Sequence, residues 1–452
     1  MSFARALFAV SGLTIISRVS GFIRDQLTAT FLGAGPIAEA AFVAQRLPNL
    51  FRSLFAEGAF SSAFVPLYTS EQQKHGHAAA QHFAGQAMML LLAVLVPFSI
   101  IVMLFMPVAI HLIAWGFDKD PEKFSLTVKF SLISFPYLVL ISLTALQGGV
   151  LNAQGKFAAA AAAPISLNVV VVSALVLAHF MHWHVGYTLS WAFLLSGVVQ
   201  LSILAISCRI AGVAIPLAWP RWSGAAKRLF KRIGPGAVGA GAAQINMLTS
   251  TMLASTVPGA VAWINYADRL QQLPLGIIGI AVGTTLLPLL TRHVEAGAED
   301  HVRHYTSRAV EFCLMLGLPA ALGFVFLSKP IVQTLFEHGA FRPEDTQKTA
   351  EVLAAYAFGI PAFLLIKVFS AGFFARQDTV TPVKIALVAM ISNVVLALLM
   401  LHSLKHIGIA LANSMAVWVN AGLLVLYLRR KKERIMDSKL KKRMKWAYTV
   451  EY

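Results

Sequence analysis

Residues 7–32 read LFAVSGLTIISRVSGFIRDQLTATFL, an apolar stretch long enough to cross a bilayer as a helix. Three charged residues interrupt it: Arg18, Arg24 and Asp25. A charged side chain at the bilayer centre costs about 2.5 to 3.5 kcal/mol on insertion scales, so these side chains must face a polar interior. An interior with an excess of arginine favours an anion as its ligand.

Similar apolar stretches recur along the whole chain, which is 58% hydrophobic and 13% charged over 452 residues. Because the runs are continuous, they indicate helices and exclude the short alternating segments of a membrane β-barrel. The sequence therefore predicts an all-α polytopic membrane protein with about 12 transmembrane helices. The predicted spans are 6–32, 36–69, 84–115, 124–153, 158–181, 186–208, 232–256, 259–291, 308–336, 347–375, 380–401 and 407–428.

The distribution of basic residues predicts the orientation. With the amino terminus inside, the tails and the loops on the same side hold 24 of the 37 lysines and arginines. The positive-inside rule then places both termini in the cytoplasm. Topology and attraction to anionic lipid account for much of the net charge of +17, so this charge favours the phospholipid bilayer over a nucleic acid as the partner.

Short motifs recur at a nearly constant offset, which indicates an internal repeat. AQRLPNL at 44–50 matches ADRLQQL at 267–273, and Asn168 and Asn393 begin two matching NVV triplets. We therefore predict two six-helix bundles, residues 1–215 and 216–430, followed by a basic cytoplasmic tail at 431–452. Two such halves can alternate access to a central cavity.

The strongest local signal is RLPNLFRSLFAEGAFSSAFVP at residues 46–66. Pro48 lacks a backbone donor, so we expect this span to be bent and to free backbone groups towards a cavity. Arg46 and Asn49 share one helix face, and Arg52 lies three residues beyond Asn49. This segment therefore predicts a polar, arginine-bearing helix face.

In the first span, Arg18 and Asp25 share a face at a spacing of seven residues, whereas Arg24 lies about 120° away from Arg18. A local break at Gly21 would bring Arg24 round to the same side.

Each arginine also has a structural interpretation, as an ion pair or as a side chain that reaches a lipid headgroup. For Arg18 the binding interpretation is favoured, because no carboxylate lies one turn away. For Arg24 beside Asp25, and for Arg52 near Glu57, the two interpretations are evenly balanced.

Three further charged positions, one basic and two acidic, stay open in the same way. Arg46 has Arg269, beside Asp268, as its repeat mate, which indicates an architectural role in addition to any binding role. Glu39 and Glu57 are candidates for ion coupling, and capping or salt-bridge roles are at least as well supported.

These motifs carry a family resemblance. SRVSGFIRD at 17–25, the 46–66 segment, YADRL at 266–270 with the following LPLGIIGIAVGTTLLP, and ARQDTVTPVKIA at 375–386 resemble the MurJ/MviN family of lipid II flippases. That family lies within the superfamily of multidrug and polysaccharide-lipid exporters. The resemblance extends from residue 1 to about residue 430.

The resemblance implies export of lipid II, the undecaprenyl-pyrophosphoryl disaccharide-pentapeptide precursor of peptidoglycan, from the cytoplasmic to the periplasmic leaflet of the bacterial inner membrane. It implies substrate-binding roles for Arg18, Arg24, Arg52 and Arg269. The neighbouring gating and polar network then comprises Asp25, Glu39, Asn49, Glu57, Arg46 and Asp268. Cell-wall synthesis proteins are possible further partners.

Other functions fit the sequence less well. A cation-drug antiporter requires an acidic cavity, and an intramembrane enzyme requires a nucleophile, an acid-base pair or metal ligands. The sequence predicts no catalytic residues, no metal site and no cofactor; Cys208 and Cys313 imply no disulfide. Family members typically have fourteen spans, whereas the sequence here predicts twelve, so an inactive remnant stays an alternative.

Overall fold

The computed structural model describes residues 3–55, 59–213, 215–216, 219, 228–229 and 244–430. These residues form helices and contain no β-strand, as the sequence predicts. The helices are α1 (Phe3–Leu32), α2 (Pro36–Phe55), α3 (Ala59–Leu104), α4 (Met106–Ile113), a 3-10 turn (Trp115–Lys119), α5 (Pro121–Ser134), α6 (Tyr137–Ala153), α7 (Phe157–Phe180), α8 (Val185–Ile210), α9 (244–255), α10 (Ala260–Glu295), α11 (Glu299–Phe336), α12 (Pro343–Ala357), α13 (Ile360–Ala375) and α14 (Val380–Arg430).

Helix ends are set by local sequence signals. Asp120 precedes Pro121, and its carboxylate accepts a hydrogen bond from the Lys123 amide at 3.1 Å, which caps the first turn of α5. At the end of α1, Gly33 has a φ of +67°. A Cβ atom on Gly33 would lie 2.5 Å from the carbonyl oxygen of Ala340, so only glycine fits this turn.

The chain reverses direction inside α3. Gly76 has a φ of 84° and a ψ of 175°, which no helix contains. Phe64 and Phe83 would be about 28 Å apart along a straight helix, yet their ring centroids are 5.7 Å apart and the rings are stacked. The two parts of α3 therefore pack against each other, and the break lies where the sequence predicts a loop.

A second reversal lies inside α14, at Lys405, where φ is 48° and ψ is −124°. Gly408 follows and approaches the preceding helical segment closely. A Cβ atom on Gly408 would lie 2.7 Å from the carbonyl oxygen of Met400. This break also lies in a predicted loop, between the stretches 380–401 and 407–428.

Eight helical segments of the described residues are long and apolar enough to cross a membrane. They are Ala63–Leu104, Pro121–Ala153, Phe157–Phe180, Val185–Ile210, Ala260–Glu295, Glu299–Phe336, Pro343–Ala375 and Val380–Arg430. The prediction of an all-α polytopic membrane protein is confirmed. A count of twelve spans and the six-helix repeat stay predictions.

The chain divides into two compact units. The first unit comprises Met1–Ala262 and Phe336–Arg342, and the second comprises Trp263–Leu335 and Pro343–Tyr452. The domain boundary near residue 215 stays a prediction.

Each unit has its own apolar core. In the first unit, Phe60 and Phe64 stack at 5.3 Å in a cluster with the second part of α3 and with α6. In the second unit, Leu290 and Phe369 belong to a cluster formed by α10, α11, α13 and α14. In a further cluster of the first unit, Ala41 and Ala44 of α2 pack with Leu27 of α1, and these two helices carry most of the candidate site residues.

The close approach at Gly408 generates a stability prediction. We expect Gly408→Ala to lower the free energy of unfolding by about 1 to 3 kcal/mol, because the new methyl group forces the Met400 backbone to move. Gly422→Ala on the same helix is the matched control, since a Cβ atom there meets nothing within 4 Å. Thermal unfolding in detergent measures both. Equal midpoints for the two variants would contradict the hairpin at Lys405.

Candidate functional site

A polar network joins α1 to α7 in the first unit. Arg24 donates from Nε and Nη2 to Oδ1 of Asp25, at 3.1 and 2.7 Å, and from Nη1 to Oδ1 of Asn168 at 3.1 Å. Asn168 in turn donates to the carbonyl oxygen of Ser17 and to the hydroxyl of Ser20. The guanidinium is therefore paired with one carboxylate and oriented by one neutral amide.

Arg18 has a different environment on the same helix. Its side chain is exposed, and no hydrogen bond or ion pair involves it within the described part of the chain. The expected break at Gly21 does not occur, because α1 is helical throughout Phe3–Leu32. Arg24 instead turns towards α7, where its guanidinium donates to the Asn168 side chain.

The predicted polar face of α2 contains three contacts. Arg52 donates from Nε to Oδ1 of Asn49 at 3.2 Å, and Asn49 donates to the carbonyl oxygen of Gln45. Arg46 donates from Nη1 to the hydroxyl of Thr251, on α9. The helix continues through Pro48 to Phe55.

Glu57 and Gly58 lie outside the described residues. The predicted role of Glu57 therefore stays a prediction.

Glu39, near the start of α2, is buried and carries both a salt bridge and a cap. Its Oε2 accepts from Nζ of Lys123 at 3.0 Å, and its Oε1 accepts from the amide of Val261 at 3.2 Å. Lys123 is only 6% exposed, and its ammonium group lies 4.2 Å from the centroid of the Phe117 ring. The structural alternative for Glu39 is thus the one that the contacts support.

The candidate residues of the second unit lie on α10. Asp268 accepts a hydrogen bond from Gln272, one turn along the helix. Arg269 is half-buried, and the adjacent Gln271 is buried and donates to the carbonyl oxygen of Tyr356 at 3.2 Å. These contacts tie α10 to α12 near the arginine.

The structure thus brings Arg24 together with Asp25, and Asn49 together with Arg52. Three partners are not predicted by the sequence: Asn168, Lys123 and Thr251. Asn168 carried a signal, since it is a polar residue in an apolar run and has a repeat mate, but nothing in the sequence linked it to Arg24. In the described part of the chain, no group of three or more His, Cys, Asp or Glu residues is placed to hold a metal ion.

The two arginines of α1 differ in whether their charge is paired with a carboxylate. Arg24 shares its charge with Asp25, whereas Arg18 is exposed and carries an uncompensated charge among the described residues. Guanidinium groups donate in a planar fork that suits phosphate oxygens. The arrangement therefore suits an anionic ligand.

Comparisons with known proteins identify the family. Residues 28–451 match the family model described as "Lipid II flippase MurJ". The chain is 46% identical to the "Probable lipid II flippase MurJ" of Rhizobium meliloti (strain 1021), over 94% of this chain and 80% of that protein. It is 41% identical to the corresponding protein of Rhizobium tropici, over 98% of this chain and 84% of that protein.

Comparison with solved structures agrees with the family match. "Lipid II flippase MurJ, inward closed conformation" superposes with a TM-score of 0.81 at 26% identity, over 93% of this chain and 87% of that chain. A multidrug resistance MATE family transporter of the MOP superfamily superposes with a TM-score of 0.79 at 15% identity, over 96% of this chain and 99% of that chain. At that identity the second likeness concerns the fold alone.

The fold, with polar and charged side chains paired inside apolar helices, is that of a multi-pass membrane transporter. Within that class, the chain belongs to the lipid II flippase MurJ family. The family resemblance of the sequence motifs is confirmed.

The buried ion pair generates a second prediction. We expect Lys123→Met to lower the free energy of unfolding by about 3 kcal/mol or more, because it leaves the buried Glu39 carboxylate without its cation. Adding Glu39→Gln should recover most of the loss, since glutamine can still accept from the Val261 amide. Thermal unfolding midpoints in detergent measure these variants.

Lys129→Met is the control, because Lys129 lies on the same helix but is exposed. It should leave the midpoint unchanged. If Lys123→Met unfolded at the same temperature as Lys129→Met, the ion pair would not contribute to the stability of the protein.

Proposed function

We propose that this chain translocates lipid II, the undecaprenyl-pyrophosphate-linked precursor of peptidoglycan, from the cytoplasmic to the periplasmic leaflet by alternating access. The observation that carries the proposal is the family match over residues 28–451, together with 46% identity to a relative named as a probable lipid II flippase. The protein is a transporter and performs no covalent chemistry in this role.

The proposed ligands of the pyrophosphate are arginines. Arg18, Arg24 and Arg52 belong to the first unit, and Arg269 belongs to the second. A pyrophosphate brings about two negative charges, which guanidinium forks engage bidentately. Arg18 has the strongest support, because it is exposed and forms no ion pair in the described residues. Arg269 is proposed from the family resemblance alone.

The remaining predicted residues are proposed to form a polar and gating network around these arginines. They are Asp25, Glu39, Asn49, Glu57, Arg46 and Asp268. Asp25 pairs with Arg24 and Asn49 with Arg52, so both orient a proposed ligand. Glu39 holds Lys123 and the Val261 amide, which supports a role in fixing helix positions rather than in contacting substrate.

The proposed topology has twelve spans in two six-helix repeats, with both termini in the cytoplasm of the bacterial cell. It rests on the recurrent motifs and on the basic residues of the predicted inner loops. Cell-wall synthesis proteins are proposed as partners because they produce and consume the lipid substrate.

Export of a cationic drug is the second candidate function, because the fold is shared with a MATE family transporter. The charges disfavour it. Basic residues outnumber acidic ones in α1 and α2, so a cation would meet net repulsion.

The direct test is reconstitution in liposomes that contain fluorescent lipid II, with a membrane-impermeant quencher added outside. We expect the parent protein to expose inner-leaflet lipid II to the quencher. Arg18→Ala should slow this movement about tenfold or more, because charge-assisted hydrogen bonds to the pyrophosphate are lost. The same variants are tested for rescue of a bacterium depleted of its own flippase.

Arg209→Ala is the matched control, since Arg209 is an exposed arginine at the end of α8 and has no proposed contact with substrate. It should move lipid II at the parental rate. A parent protein that exported a cationic dye but left lipid II in place would overturn the proposed function in favour of drug export.

The topology has its own test. We expect a cysteine at Trp183, in the predicted outer loop after α7, to react with an impermeant maleimide in intact spheroplasts. A cysteine at Ala296, in the predicted inner loop after α10, should react only after the cells are opened. Both positions are exposed, and the native Cys208 and Cys313 are buried. The reverse pattern would contradict cytoplasmic termini.

A further inference from the structure

Asn168 is a buried polar side chain in the middle of α7, on a largely apolar helix. Its side-chain amide forms hydrogen bonds with Ser17, Ser20 and Arg24, all of them on α1. Burying an amide costs free energy unless the amide is hydrogen-bonded. Because these partners satisfy the Asn168 amide, they also fix its position.

The chemistry of its partners fixes the orientation of the amide. The Ser17 carbonyl can only accept, so Nδ2 of Asn168 must face it, at 3.1 Å. The guanidinium of Arg24 can only donate, so Oδ1 must face Arg24, also at 3.1 Å. The second hydrogen of Nδ2 is used by the Ser20 hydroxyl at 2.9 Å. A flipped amide would place donor against donor and acceptor against acceptor.

Arg24 is held from two sides as a result. Nε and Nη2 donate to Asp25, and Nη1 donates to Asn168. A guanidinium has five N–H groups, so three hydrogen bonds leave two of them for a ligand. Asp25 is the residue adjacent to Arg24 on the same helix, whereas Asn168 is anchored to another helix.

The type of residue at 168 is significant. A carboxylate there would hold the guanidinium equally well, but it would add a second negative charge beside a cation that Asp25 already neutralises. A neutral amide orients the guanidinium and leaves its remaining attraction for an anion intact.

We propose that Asn168 is a positioning residue, which fixes the guanidinium of Arg24 so that its two remaining N–H groups engage the pyrophosphate of the substrate. This inference rests on the proposed function. Asn168 itself needs no contact with substrate, because it acts through Arg24. Preorganised donors spend less free energy on ordering when the anion binds, so the loss of Asn168 weakens substrate engagement.

A double-mutant cycle in the liposome assay tests the proposal. The four proteins are the parent, Asn168→Ala, Arg24→Ala and the double variant. We expect Asn168→Ala to slow lipid II movement about tenfold at low substrate density, and the double variant to be no slower than Arg24→Ala alone. Such coupling means that Asn168 acts through Arg24.

Gln200→Ala is the matched control. Gln200 is also a buried amide that ties α7 to a neighbouring helix, through a 3.0 Å hydrogen bond to the Ala163 carbonyl, and it makes no contact with Arg24. Any loss that it causes should multiply with the loss from Arg24→Ala. If Asn168→Ala combined with Arg24→Ala in the same multiplicative way, Asn168 would be only a structural contact and the proposal would be wrong.

Asn168→Asp provides a separate test of the proposal if the alanine variant fails to fold. It preserves the shape of the side chain and an acceptor for Arg24, but it adds a negative charge and replaces the donor to the Ser17 carbonyl with an acceptor. We expect the folded protein of this variant to need a higher lipid II density for its half-maximal rate. A normal half-maximal density in a folded Asn168→Asp protein would overturn the proposal. An inactive parent would instead refute the proposed function.

Discussion

Charged side chains inside apolar helices must find partners within the protein, and the polar contacts of the first unit follow from this constraint. Glu39 and Lys123 satisfy it by pairing while both are buried. Arg24 satisfies it with Asp25 and Asn168. Each solution joins helices that apolar packing alone would leave free to shift against each other, because a hydrogen-bonded pair has a defined geometry.

Much of the fold could be predicted from the sequence because its signals are local. Long apolar runs predict helices irrespective of what surrounds them, and the two reversals at Gly76 and Lys405 lie within the predicted loops. The adjacent pair of Arg24 and Asp25 was also visible in the sequence, because no packing information is needed to recognise it.

The partners from distant segments could not be predicted. Asn168 is 144 residues from Arg24, Lys123 is 84 residues from Glu39, and a single sequence does not specify such pairings. Lys123 lies in the loop between the predicted spans 84–115 and 124–153. The structure buries it instead, since the Asp120 cap starts α5 three residues earlier and turns Lys123 inward. The Asp120 cap of α5 therefore determines that the Lys123 ammonium group is buried.

The two arginines of α1 differ in how an anion can use them. An anion that approaches Arg24 competes with Asp25 for the same guanidinium, whereas an anion at Arg18 displaces no ion pair among the described residues. A singly charged ion therefore gains little at Arg24, because it offers no more charge than the carboxylate already there. A pyrophosphate carries more charge and several acceptor oxygens, so it can reach the remaining N–H groups while Asp25 and Asn168 stay bound. On this view, the pairing of Arg24 favours multiply charged head groups over the chloride and simple carboxylates of the cell.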